Sequence, residues 1–227
     1  MMLAHPILSK SLDFVEDRIS VLVVEDQSVL TNLLLELIAQ INGDDGRFLL
    51  SEDYKPIPIA KKLELVVDPL RIDFGQRKIL NKIYADLTAL ASGENMIERT
   101  ADLQNRLVAY LQSLLLSVSL PLTCVAEIDL GALLKAAGVA VDVLSSTLVE
   151  RISEYLHILT DLSLVDCFVF VNLKSYLNDD DLKAFYREVA YKKYRVLLIE
   201  NYFRDTLRLY EKTVVLDSDL CEVINEY

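Results

Sequence analysis

The sequence predicts an α/β protein, with a head built from both ends of the chain and an extended α-helical insertion between them. Four short apolar runs predict the head: Val21–Val24, Leu63–Val67, Cys167–Val171 and Val196–Ile199. Each is rich in Val, Leu, Ile or Phe and closed by polar residues, which is how strands buried on both faces of a sheet read. A long stretch of helical periodicity between the second and third runs predicts the insertion. The head is assigned to residues 1–78 and 163–227, and the helical insertion to residues 79–162.

The elements follow in order. After a strand over 21–25, Leu33, Leu34, Leu37, Ile38 and Ile41 recur at helical spacing in a helix from Ser28 to Ile41. Asn42-Gly-Asp-Asp-Gly46 is a turn, and Arg47–Leu50 begins another strand. The run at 63–67 is stopped by Asp68-Pro69. Ile79, Leu80, Ile83, Leu87 and Leu90 mark one helix, broken at Ser92–Asn95. A second helix runs from about Met96 to Val118, with Leu103, Leu107, Leu111, Leu114 and Leu115 on one face. The pair reads as an antiparallel hairpin or a long kinked arm. Leu107 to Ala126 carries no charge, but Gln112, Ser113, Ser117, Ser119 and Pro121 argue against a membrane span. The proline predicts a helix ending, with a strand starting over Leu122–Ala126. A short helix over Asp129–Ala137 closes at Gly138, and another spans about Ser145 to Leu162. Strand, helix and strand return over 165–199, with Asn178–Asp181 as a helix start.

Composition narrows the class. In 227 residues, hydrophobic content of 52% argues for a packed globule and not a disordered binder. The net charge of −12 would by itself repel nucleic acid. The charge is segregated, however: −7 over residues 1–53, +4 over 54–82, −9 over 83–182 and +4 over 183–195. Basic surface is thus held in particular places, and local patches decide binding to a polyanion. Cys124, Cys167 and Cys221 have no close spacing and read as small buried hydrophobes in a reducing compartment. No basic region followed by an apolar stretch opens the chain, so a cytoplasmic protein is expected.

No catalytic constellation accompanies the strands. A sheet of this kind positions ligands at its carboxyl edge, often on a glycine-rich turn. Here the runs end in Glu25-Asp26, Asp68-Pro69, Asn172-Leu173-Lys174 and Glu200-Asn201, without glycine. The Lys-Ser pairs, Lys10-Ser11 and Lys174-Ser175, have no glycine within seven residues, so a phosphate loop is missing and ATP hydrolysis is not expected. Glu25 and Glu200 follow strands as a magnesium-holding acid would, yet read as strand-end polars without the loop. His5 and His157 lack the company that zinc or a nucleophilic triad needs. The Asp179–Asp181 run is explained by helix capping and the helix dipole. Glu127 and Asp129, two apart at a strand–helix junction, could hold calcium or simply cap the helix.

Several stretches together resemble one family. They are Val21-Leu-Val-Val-Glu-Asp-Gln-Ser-Val-Leu30, Ile79-Leu-Asn-Lys-Ile-Tyr-Ala-Asp-Leu87, Leu133-Leu-Lys-Ala-Ala-Gly-Val139 and Phe168-Val-Phe-Val-Asn172. The late Val196–Glu200 and Val214–Asp219 continue the series. In this order they are similar to the Csn-two family of type II-A CRISPR adaptation proteins. The resemblance implies an ATPase-like head with a degenerate nucleotide site and an extended helical subdomain. It also implies a homotetrameric ring that takes double-stranded DNA ends during spacer acquisition, supported by calcium. Partners implied are the CRISPR integrase complex and the guide-RNA nuclease.

Lys135 and Arg151 fall where the family pattern has basic residues, and are expected on the DNA-facing surface with Lys61 and Lys62. The family's acid-rich stretch before the helix at 129–137 is here Ser117-Val-Ser-Leu-Pro121. Only Glu127 and Asp129 remain as calcium ligands. The expectation is a non-enzymatic, sequence-independent binder of double-stranded DNA ends. Its rivals are a nucleotide-dependent enzyme on the same head and a structural scaffold that contacts only proteins.

Overall fold

The computed structural model describes residues 1–15, 18–204 and 210–225. All four apolar runs fall side by side in one sheet. They form β3 (Ile19–Val24), β6 (Leu63–Val66), β7 (Cys167–Val171) and β8 (Val196–Glu200), joined by β9 (Glu211–Leu216) and β10 (Glu222–Asn225). The order is β10-β9-β3-β8-β7-β6, parallel throughout except for β10, which pairs antiparallel with β9. From β3 the chain passes to the far edge at β6 and returns through β7 and β8. It then crosses β3 to β9, so β3 is the strand where the connections change side.

Side chains alternate across the sheet. Leu22, Val24, Cys167, Val169, Leu197, Ile199, Val214 and Leu216 share one core with Leu30, Leu33 and Leu37 of α1 (Gln27–Ile41). A second, antiparallel sheet closes that core with Leu3, Leu12 and Leu50. Its strands are β1 (Met2–Ala4), β2 (Leu12–Asp13), β4 (Leu49–Glu52) and β5 (Lys55–Ile57), in the order β2-β1-β4-β5. The β4–β5 turn places Asp53 and Tyr54 both at positive φ, 49° and 62°. A two-residue hairpin of this kind usually announces itself by Asn-Gly or Asp-Gly. Without the glycine, the sequence shows only the start of β4.

The opposite face carries Val21, Val23, Phe168, Phe170, Val196 and Leu198, all buried. Two helices bury their apolar stripes in the same unit: α6 (Leu148–Asp161), through Ile152, Tyr155, Leu156 and Leu159, and α7 (Asp179–Lys192), through Leu182, Phe185 and Val189. Phe170 and Phe185 meet edge to face at 5.8 Å, and the Tyr155 hydroxyl donates to Glu64 of β6 at 2.5 Å. Thr147 and Glu150 form a reciprocal capping box that starts α6. Asn178 caps α7, accepting the amides of Asp180 and Asp181.

The chain divides into two compact units, residues 1–73 with 143–227, and residues 74–142. This moves the expected boundary of the insertion from 162 back to 142. The helix over 148–161 groups with the head because five of its residues are buried there. The second unit holds α3 (Arg77–Ala91), α4 (Ile97–Leu116) and α5 (Leu130–Ala136). The Thr100 hydroxyl closes the α3–α4 turn on the Ala91 carbonyl at 2.9 Å. The Tyr84 hydroxyl reaches the Val139 carbonyl beyond α5 at 2.9 Å, and Gly138 ends α5 at φ +70°.

The expected strand over 122–126 is not formed. Those residues have no neighbouring strand to satisfy their amides, and most are exposed. Nor are all three cysteines buried: Cys167 is, and burial pushes its thiol up to about 12, but Cys124 is half-buried and Cys221 exposed. Among the described residues no helix is long and apolar enough to cross a membrane.

Burial sets a clear contrast between the helices of the two units. Leu159→Ala, at a position 0% exposed on α6, is expected to cost about 2–5 kcal/mol in urea unfolding. Leu116→Ala, at a position 88% exposed on α4, should change stability by less than about 0.5 kcal/mol.

Candidate functional site

An open parallel sheet binds its ligand beyond the carboxyl ends of the strands, at the point where the connections change side. In this head that point is the end of β3. The turn into α1 is Glu25-Asp26, and the Asp26 carboxylate accepts the Val29 amide at 2.8 Å. An amide that would otherwise be available to a phosphate is thereby occupied by a carboxylate. Glu25, exposed beside it, adds a second negative charge.

The neighbouring strand ends are equally committed. Asn172, at the end of β7, adopts a left-handed conformation at φ 52°, which asparagine tolerates better than most residues. Its side-chain oxygen accepts the Asn201 amide at 3.0 Å, joining the ends of β7 and β8. The Lys174 amide donates to Glu200 at 3.1 Å. Arg204 donates to the Lys174 carbonyl at 3.0 Å and to Asp179 at 2.7 Å.

Beneath this edge lies a buried ionic cluster. The Lys174 ammonium is 2.8 Å from one Glu211 oxygen, and the Tyr186 hydroxyl donates to the other at 2.7 Å. Lys174, Glu200, Glu211 and Tyr186 are each at most 4% exposed. Burial pushes the Glu200 carboxyl up to about 7, against the pull of the Lys174 amide and ammonium. Burial and the Glu211 charge hold the Tyr186 phenol well above its usual range. In the sequence, Lys174 stood out only as half of a Lys-Ser pair. Its place between apolar Val171, Leu173 and Leu177 is the signal that marks it as an internal charge.

A second titratable group sits between α1 and the small sheet. His5 is buried, its Nδ1 accepts the Ile7 amide at 3.2 Å and its Nε2 lies 3.4 Å from Glu36. Glu36 also binds the Arg47 side chain at 2.7 Å. Both imidazole nitrogens are engaged and no nucleophile adjoins them, so the group ties α1 to the chain around it and is no catalytic dyad.

The expected site residues are dispersed. Lys135 lies exposed on α5 and Lys61 exposed on α2 (Ile59–Lys62); neither makes an ion pair among the described residues. Lys62 pairs with Asp166 at 2.8 Å. Arg151, half-buried on α6, donates to the Ile72 carbonyl at 2.7 Å. Lys135 falls in the second unit and the other three in the first.

The Asp129 carboxylate accepts the Gly131 amide at 2.9 Å and caps α5, while Glu127 is exposed. Among the described residues no group of three or more His, Cys, Asp or Glu could hold a metal. Two acids alone do not meet calcium's need for six to eight oxygens.

An α/β head on a largely parallel sheet, with a separate helical unit, accords with one set of known proteins. The model of the family described as CRISPR-associated protein (Cas_Csn2) matches residues 40–220. The chain belongs to the Csn2 family. It is 28% identical over 219 residues to CRISPR-associated protein Csn2 of Streptococcus agalactiae, covering 94% of this chain and 93% of that protein. It is 26% identical over 171 residues to CRISPR-associated protein Csn2 of Enterococcus faecalis, covering 74% and 76%. The family is the one the strand and helix motifs resembled, and it gives the chain a CRISPR-associated role.

Two outcomes follow from these clusters. Lys174→Met leaves a buried carboxylate without its cation and should cost about 3–5 kcal/mol in urea unfolding. Arg47 holds Glu36 down at about 2, against an ordinary 4.5. A carboxyl depressed in the fold stabilises above its unfolded value, and that stability is lost as pH falls from about 4.5 towards 2. Glu36→Gln should therefore flatten the acid limb of the thermal-stability profile over that window.

Proposed function

We propose that the protein is a non-enzymatic, sequence-independent binder of double-stranded DNA ends, working as a homotetrameric ring during CRISPR spacer acquisition. In this reading the head is an ATPase-like scaffold whose nucleotide site has degenerated. It acts beside the CRISPR integrase complex and the guide-RNA nuclease.

The observation that carries the reading is the closed carboxyl edge. Among the described residues, Asp26 occupies the Val29 amide of α1, and Asn172, Lys174 and Arg204 are bonded to neighbouring elements, so donors of this edge are committed to internal bonds. The head keeps the order of a nucleotide binder without its chemistry, which favours a structural part in an assembly over turnover. Self-association draws support from α4. No residue of this helix is buried, and Leu103, Tyr110, Leu114 and Leu116 stand 46–88% exposed. An apolar surface of this kind on one chain marks an interaction site.

The net charge of −12 is compatible with DNA only if cations are gathered by assembly, and Lys135 and Lys61 are the expected cations best placed to contribute. Arg151 and Lys62 would each have to give up an internal bond to reach a phosphate. Calcium at Glu127 and Asp129 would need oxygens from a second subunit, which makes it an assembly ion and not a catalytic one.

Mobility shifts with linear and covalently closed circular duplex of equal length test the reading. Capture of the linear form alone is expected; equal capture of both contradicts threading over ends. Lys135→Glu with Lys61→Glu should weaken binding and lower the slope of log affinity against log salt by about 1 per lost phosphate contact. An unchanged affinity removes both residues from the surface, and no binding at low salt favours the protein-only scaffold.

A further inference from the structure

We propose that Glu200 holds a proton at neutral pH and that its release alters the bond that seats α7, a proton-operated switch built into the head. The inference is independent of the DNA-end reading and starts from a charge count. Two carboxyls, Glu200 and Glu211, lie in a pocket with one ammonium, that of Lys174, which pairs with Glu211, and every member is at most 4% exposed. One cation cannot neutralise two buried carboxylates, and an uncompensated buried charge takes up a proton instead.

The hydrogen bonds decide which carboxyl takes it. Glu211 has the Lys174 ammonium on one oxygen and the Tyr186 hydroxyl on the other. Glu200 has only backbone amides, those of Lys174 and Leu173, to draw on, and its second oxygen is buried without a partner among the described residues. The proton therefore resides on Glu200. The surrounding elements contribute Lys174 after β7, Glu211 and Thr213 on β9, Tyr186 on α7, and Arg204 after β8, whose guanidinium is engaged by Asp179.

The consequence follows from competition. An ionised Glu200 draws the Lys174 ammonium towards itself and away from Glu211. Glu211 is the group that receives the Tyr186 hydroxyl, and a Glu211 with less of the ammonium leans more on that hydroxyl, so the change is felt at the bond that seats α7. The raised carboxyl fixes the direction. Between the ordinary 4.5 and about 7 the folded chain holds more protons than the unfolded one, so stability falls as pH rises through that window and levels off above it.

Infrared spectroscopy of the full chain reads the proton directly. The carbonyl band of an unionised carboxyl should be present at about pH 6 and disappear by about pH 9, well above the ordinary carboxylate range. Glu200→Gln, nearly isosteric, should lack that band while retaining the fold. Near-ultraviolet circular dichroism, which reports the tyrosine environment, should shift in the wild type with the same midpoint and stay constant in Glu200→Gln. If that variant does not fold, the wild-type band and the fall in Tm from about pH 5 to about pH 8 still decide the matter. Absence of the band at neutral pH overturns the proposal. So does its persistence in Glu200→Gln, which would place the proton elsewhere. A band that titrates with no change in the tyrosine signal overturns the switch.

Discussion

The head depends on a single buried lysine whose amide and ammonium bind acids on two strands. Lys174 leaves the end of β7, gives its amide to Glu200 of β8 and its side chain to Glu211 of β9. A buried pair of this sort adds little net stability over an apolar core, yet it is costly to break. What it supplies here is a fixed relation between strand ends that are not all neighbours in the sheet. Tyr186 extends the constraint to α7, and Arg204 extends it to the segment after β8. The edge at which related architectures receive ligands is therefore joined by internal bonds. At the end of β3 the Asp26 carboxylate adds a further internal bond, to the Val29 amide.

Much of this was legible in the sequence because its causes are local. Short apolar runs mark parallel strands buried on both faces, and Asn178 marks a helix start. The small sheet was mostly hidden. Its strands are two to four residues long, and its hairpin turn uses Asp53-Tyr54 where glycine would have signalled it. The helix over 148–161 was visible as a helix, but periodicity does not say which unit buries an apolar stripe. The strand expected over 122–126 failed for the complementary reason, since no strand lies beside this mostly exposed run to pair with it.

Candidate functional residues were less readable than the fold. Lys135 and Arg151 were expected from the family resemblance, with Lys61 and Lys62 beside them, and burial separates the four. Lys135 and Lys61 face solvent, whereas Lys62 is paired with Asp166 and Arg151 is bonded to the Ile72 carbonyl. Lys174, the cation that organises the head, was seen only as a failed phosphate-loop fragment. Composition averages over these environments: a chain of net charge −12 holds both an internal lysine that neutralises its own acids and external ones free to meet a polyanion.

The central claim is that a closed head and an unburied apolar helix belong to a chain completed by copies of itself around a duplex. Solution mass, measured by sedimentation with and without a short linear duplex and calcium, tests it most directly. The account predicts a particle of four chains that retains the duplex. A single chain whose mass is unchanged by duplex or calcium would contradict it.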